Sequence, residues 1–106
     1  MEYLNKIELK GRVGNVKIST IAQTNVVKFS LVTENVSTTQ DGTPLIETTW
    51  FSCTAFQNDK VNIEAVKTNA YLHIVGRVKM LRYMDQNGVE RTFWEVVCNS
   101  LSELEK

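Results

Sequence analysis

Hydrophobic and polar residues alternate along most of this chain with the period of β-strands. From Lys6 to Val13, Ile7, Leu9, Gly11 and Val13 fall on one face and Lys6, Glu8, Lys10 and Arg12 on the other. Such strict alternation marks a half-buried strand. The same pattern predicts a second strand over 26–34, with Val27, Phe29 and Leu31 inward, and a third over 48–56. A fourth, rich in branched residues, is predicted over 71–83 and a fifth over 91–99. Asn87-Gly88 is a hairpin signal between the last two. Residues 35–47 contain Ser-Thr-Thr-Gln-Asp-Gly-Thr-Pro and read as a loop or hairpin tip. Over 58–68 the pattern changes. Val61, Ile63, Ala65 and Val66 lie among polar residues, Asn58 or Asp59 can cap, and Asn69 can terminate, which predicts a short helix or helical turn.

Three strands, a helix and two strands is the element order of an OB-fold. That fold is a five-stranded Greek-key barrel whose strands 2–3 and loops 1–2 and 4–5 bind oligomers. The pattern by itself favours a small all-β barrel and leaves an SH3-like barrel open.

Composition narrows the picture. A chain of 106 residues, 42% of them hydrophobic, is one domain over 1–106 with enough apolar surface for a core. No apolar run approaches the ~18–20 residues of a membrane helix, and residues 1–6 lack a basic-then-apolar leader, so a cytoplasmic protein is expected. The formal net charge is zero. Between Lys6 and Arg91, however, eleven basic residues stand against eight acidic ones. A basic patch therefore depends on the fold gathering the charges. Cys53 and Cys98 read as reduced core thiols. With one histidine they make no zinc spacing, and no cofactor motif or catalytic grouping emerges. Gly11-Arg12-Val13-Gly14 reads as a strand end, not a phosphate loop.

The third strand carries the most chemistry. Phe51, Cys53 and Ala55 form its inward set, while Thr48, Trp50, Ser52, Thr54 and Phe56 form a polar set that includes two large aromatics. Such aromatics serve as stacking platforms for nucleic-acid bases. They serve equally well to pack under a loop or at a subunit interface. On the fourth strand Leu72, Ile74, Gly76, Val78 and Met80 alternate inward. Arg77, Lys79, Leu81 and Tyr83 share the outer face, with Arg82 beside them. A basic row ending in an aromatic suits phosphate contact plus stacking; a solvated edge that resists aggregation explains the charges but not Tyr83. Lys10 and Arg12 extend the same patch. Trp94 alternates with Val96 and Cys98 and reads as core or interface, and His73 as structural.

These residues together resemble the bacterial single-stranded DNA-binding proteins. The matching segments are 5–14, Phe29-Ser30-Leu31-Val32-Thr33, Thr49-Trp50-Phe51 through Ala55-Phe56, Ile74-Val75-Gly76-Arg77-Val78-Lys79, and 83–91 with its Asp85-Gln86-Asn87-Gly88 hairpin. The resemblance implies an OB-fold that assembles into homotetramers or dimers. It implies binding of single-stranded DNA with little sequence preference in replication, recombination and repair, and contact with proteins of those processes. It places stacking at Trp50, Phe56 and Tyr83, and basic contacts at Lys6, Arg77, Lys79 and Arg82. The chain departs from the family pattern at several points. Val36 stands where a stacking aromatic is usual, Ser52 where a basic residue is common, and Phe51 for a common histidine; Asn15-Val16-Lys17 replaces Asp-Pro-Glu. Ser102-Glu103-Leu104-Glu105-Lys106 is not the family's acidic tip, so a domain without that tail is expected. A second expectation is a protein-interaction module of a replication-restart complex, as in primosomal replication protein N, a tailless relative of the fold. A nuclease on this fold would need a carboxylate cluster that the sequence lacks.

Overall fold

The alternating segments close into one barrel in the computed structural model of the chain, which describes residues 2–105. Met1 and Lys106, at the two termini, lie outside the described residues. The strands are β1 (Ile7–Ile21), β2 (Thr24–Thr38), β3 (Pro44–Phe56), β4 (Tyr71–Met84) and β5 (Glu90–Glu103). They follow one another around the barrel as β1-β2-β3-β5-β4, with β4 paired back onto β1. Only β3 and β5 run parallel; the other pairs are antiparallel. This is the five-stranded Greek-key OB-fold.

The inward sets meet in register. Leu31 lies opposite Phe51, Phe29 opposite Cys53 and Val27 opposite Ala55. Val13, Leu72, Ile74, Val96, Cys98 and Leu101 complete the core. Burying an aliphatic side chain of this kind contributes about 1.5–3 kcal/mol, so the strand pattern and the core energy are one fact. Cys53 and Cys98 are free and buried. Burial pushes the Cys98 thiol up to about 12 and raises Cys53 as well, which leaves both uncharged and unreactive.

The segment between β3 and β4 holds less helix than its sequence suggests. A single 3₁₀ turn spans Ile63–Ala65, capped by the Asn62 side chain, which accepts a hydrogen bond from the Glu64 amide at 3.1 Å. Asn58 instead accepts from the Lys60 amide at 2.8 Å and forms a turn. The buried residues here are Val61, Ile63 and Val66. Val61 and Ile63, two apart, would fall on opposite sides of a helix, so the chain plugs the barrel as an irregular turn. Asn69 ends it in the left-handed region, φ 74°.

The strands also outrun their predicted bounds. β1 continues past Gly14 because one extra residue is accommodated between Val13 and Val16, and Asn15 N–H bonds Ser30 Oγ at 2.9 Å. The β1–β2 turn is Ala22-Gln23, both with positive φ. The predicted loop 35–47 is mostly ladder, with Val36 opposite Ile46 and the turn confined to residues near Asp41 and Gly42. Met80, read as inward, is exposed because the β4–β5 hairpin has left the barrel at that point. These projecting hairpins give a radius of gyration of 16.2 Å, against ~13 Å for a compact chain of this size.

Two glycines make closure possible. A Cβ on Gly76 would lie 2.1 Å from the Val97 carbonyl oxygen, and one on Gly11 would lie 2.3 Å from that of Val32. Both obstacles are backbone, so neither can swing away. Gly76→Ala is expected to destabilise the fold by about 1–3 kcal/mol, the usual range for overpacking, read from urea unfolding; unchanged stability would show that β4 and β5 do not approach this closely.

Candidate nucleic-acid interface

The outward side of β3 is the floor of the site. Trp50 and Phe56 project from it, and Trp50 is 60% exposed although its ring lies over β1. A Cβ on Gly14 would meet the edge of that ring at 2.9 Å, so a residue without a side chain lets the indole rest there. Between the two aromatics, Ser52 and Thr54 face a shallow groove of about 320 Å³ that also touches Lys17, Lys28, Phe93 and Glu95. Tyr83 meets Phe93 edge-to-face with ring centroids 5.8 Å apart. The Tyr83–Phe93 corner therefore borders the groove from the β4–β5 side.

The charges are arranged across the strands. Lys17 and Lys28 are direct cross-strand partners, Lys28 pairs with Thr54, Thr54 with Val97, and Val97 with Arg77. One row over four strand pairings thus carries three cations. Like charges directly opposite repel by about 0.2–1 kcal/mol. Among the described residues, neither Lys17 nor Lys28 takes part in an ion pair. That pair is unfavourable alone and is relieved by a bound anion. Arg77 Nη1 donates to Asn99 Oδ1 at 3.2 Å, which steers its guanidinium along the outer face of β5.

The nine candidate residues divide into groups. Trp50, Phe56, Tyr83, Arg77 and Lys79 lie on the outer face as expected. Arg82 does not. It is opposite Thr92, on the other face of the hairpin, and pairs with Glu90 at 3.8 Å. Arg12 is level with Val32, which is level with Trp50, and it stands on β1 two residues before Gly14, over which the indole lies. It lines a separate depression with Lys10, Glu34 and Tyr71. Lys10 is opposite His73, whose Nε2 sits 2.6 Å from Glu8 Oε2. That contact, helped by Lys6 and Lys10, holds the Glu8 carboxyl below its ordinary range. Lys6 is exposed at the start of β1, apart from the groove.

Sequence reasoning misses other positions. Lys28 alternates with Val27 and Phe29 and can be found from β2 alone. Lys17 and Phe93 cannot, because Lys17 follows the bulge and Phe93 gains meaning only beside Tyr83. Thr54, expected on the exposed face, is only 4% exposed because Glu95 covers it. Trp94, read as core or interface, is 63% exposed beyond the barrel's end. It shares a depression with Ile7, Trp50, Phe51 and Val78.

Residues 4–104 match the model of the Single-strand binding protein family. Proteins named single-stranded DNA-binding protein from two serogroups of Neisseria meningitidis are each 26% identical over 105 residues. The match covers 95% of this chain and 60% of each relative, so the chain spans about three-fifths of their length. A solved Plasmodium falciparum SSB complex with ssDNA superposes with a TM-score of 0.85 at 20% identity, covering 99% of this chain and 98% of that one. A deletion mutant of the single-stranded DNA binding protein from Thermus aquaticus gives 0.76 at 12% identity, covering 96% and 51%. At these identities the two structures establish the fold.

The tips of the β2–β3 and β4–β5 hairpins are held by carboxylates. Asp85 accepts from the Val89 and Asn87 amides and from Arg91 Nε, each at 2.9 Å, and its carboxyl is held below the ordinary value. Asp41 accepts from the Thr39 hydroxyl and, at 3.1 Å, from the Thr43 amide, which lowers it from 3.8 to about 2. A depressed carboxyl stabilises its turn fully above the unfolded value and loses that contribution as pH falls through the folded one. The Asp41 carboxyl carbon, followed by NMR, is expected to titrate near pH 2, and Thr39→Val to move it toward 3.8. A native midpoint at 3.8 would mean that the tip bonds do not form.

Proposed function

The chain belongs to the single-strand binding protein family, and on that premise we propose that it binds single-stranded DNA with broad sequence tolerance. Bases stack on Trp50, Phe56 and the Tyr83–Phe93 corner, and phosphates follow Lys17, Lys28, Arg77 and Lys79. The observation that carries this reading is the set of exposed aromatics near a groove lined by two facing lysines that, among the described residues, take part in no ion pair. Each stacked base contributes roughly 1–3 kcal/mol, and neutralised phosphates add a salt-dependent contribution. Lys6, Lys10 and Arg12 form an outlying basic fringe that a longer strand reaches; Arg82, on the opposite face, contributes only field. The names of the Neisseria and Plasmodium proteins support the same ligand.

The process served is DNA replication, recombination or repair. The protein is a binder rather than an enzyme, and the cytoplasm is its place. No described helix is long and apolar enough to cross a membrane. Assembly into dimers or tetramers belongs to the same proposal.

One observation favours a second reading, as a protein-interaction module of a replication-restart complex. Met80 lies opposite Trp94 on the face of the β4–β5 hairpin turned away from Tyr83, and Met84 continues it. That exposed apolar surface suits a protein partner.

Trp50→Ala is expected to weaken binding of oligo-dT by about 1–3 kcal/mol, measured by fluorescence anisotropy of labelled oligonucleotide. Lys28→Ala is expected to lower the salt slope by about one phosphate. Unchanged affinity in both variants would move the protein-interaction reading to first place.

A further inference from the structure

One carboxylate lines the groove beside Lys17 and Lys28. Glu95 is half-buried on β5, two residues beyond Phe93 and on the same face of that strand. Thr54 Oγ1 donates to its Oε2 at 3.0 Å. Since Thr54 is buried on β3, this bond ties the carboxylate to the floor between two strands. Lys79 is its cross-strand partner, yet among the described residues Glu95 takes part in no ion pair. Among the described residues its second oxygen, Oε1, accepts no hydrogen bond and keeps its acceptor capacity, and Glu95 lines the groove.

A fixed carboxylate repels phosphate, so the backbone of a bound strand stays on the Lys17–Lys28 side. The base then turns inward, and one stacked on Phe93 presents its edge along β5, about 7 Å per two residues, toward Glu95. Cytosine carries an amino donor on that edge, N4–H₂, and carboxylates accept from it; thymine carries the acceptor O4 instead. Building on the single-stranded DNA reading, we propose that Glu95, held by Thr54, reads the base edge and makes the groove prefer amino-bearing bases, cytosine above thymine.

The test compares oligo-dC with oligo-dT of equal length at one salt concentration, using the full chain and Glu95→Gln. Gln keeps an acceptor for Thr54 but removes the charge that favours an amino donor and disfavours O4. The ratio of dC to dT affinity is expected to fall ~5-fold or more in the variant, the lower end of one directional base contact. A second arm needs no variant: an oligo-dC with both amino hydrogens replaced by methyl groups is expected to bind the native protein ~5-fold more weakly than oligo-dC. Native protein that binds both oligomers, with a ratio unmoved by Glu95→Gln or full affinity for the methylated strand, overturns base reading and leaves single-strand binding intact. Native protein that binds neither oligomer overturns single-strand binding itself.

Discussion

Closure of the barrel depends on two places where one strand presses on the next with no room for a side chain. Gly11 lies under the Val32 carbonyl and Gly76 under that of Val97. These contacts let β1 and β4 curl tightly enough to meet, so that five strands enclose a core built around Leu31, Leu72 and Ile74. A barrel this narrow uses only part of each strand. The remainder projects as hairpins, exposed on both faces, and the β4–β5 projection carries Tyr83, Phe93 and Trp94. The dimensions of the core and the reach of the site thus share one cause.

The site follows from what the outer face leaves uncompensated. Lys17 opposes Lys28 with neither in an ion pair among the described residues, Trp50 lies open above Gly14, and Tyr83 and Phe93 form a corner at the margin. The facing lysines are unfavourable for folding alone. Together with the aromatics they offer stacking planes and cations at strand spacing, which is what a single strand with exposed bases and regular phosphates requires. The opposite face of the β4–β5 hairpin, with Met80, Met84 and Trp94, has few charges beyond the Arg82–Glu90 pair. One hairpin therefore presents two chemically different surfaces.

Residue order alone makes much of this legible. Alternation locates all five strands and, apart from Met80, their inward sets, because period-2 burial is written directly into the chain. The outward aromatics Trp50, Phe56 and Tyr83 are legible for the same reason. What escapes depends on contacts between distant segments. The Ala22-Gln23 turn carries no glycine or asparagine to announce it, and the bulge near Gly14 resets the alternation ahead of Lys17. Thr54 is covered by Glu95, 41 positions away in sequence. Arg82 follows Leu81 in a row of charges, but a single step along a strand reverses the face. Trp94 obeys the inward period where the barrel that would have buried it has already ended.

The central claim is that the outer face of β3 and the Tyr83–Phe93 corner hold the strand. Photocrosslinking the native protein to oligonucleotides of 5-iodouracil, with the linked residues identified by mass spectrometry, tests it most directly. Adducts on Trp50, Phe56 and Tyr83 or Phe93, competed away by unlabelled oligo-dT, are the predicted result. Adducts confined to Trp94 or to Tyr71, with the β3 aromatics unmodified, would contradict it.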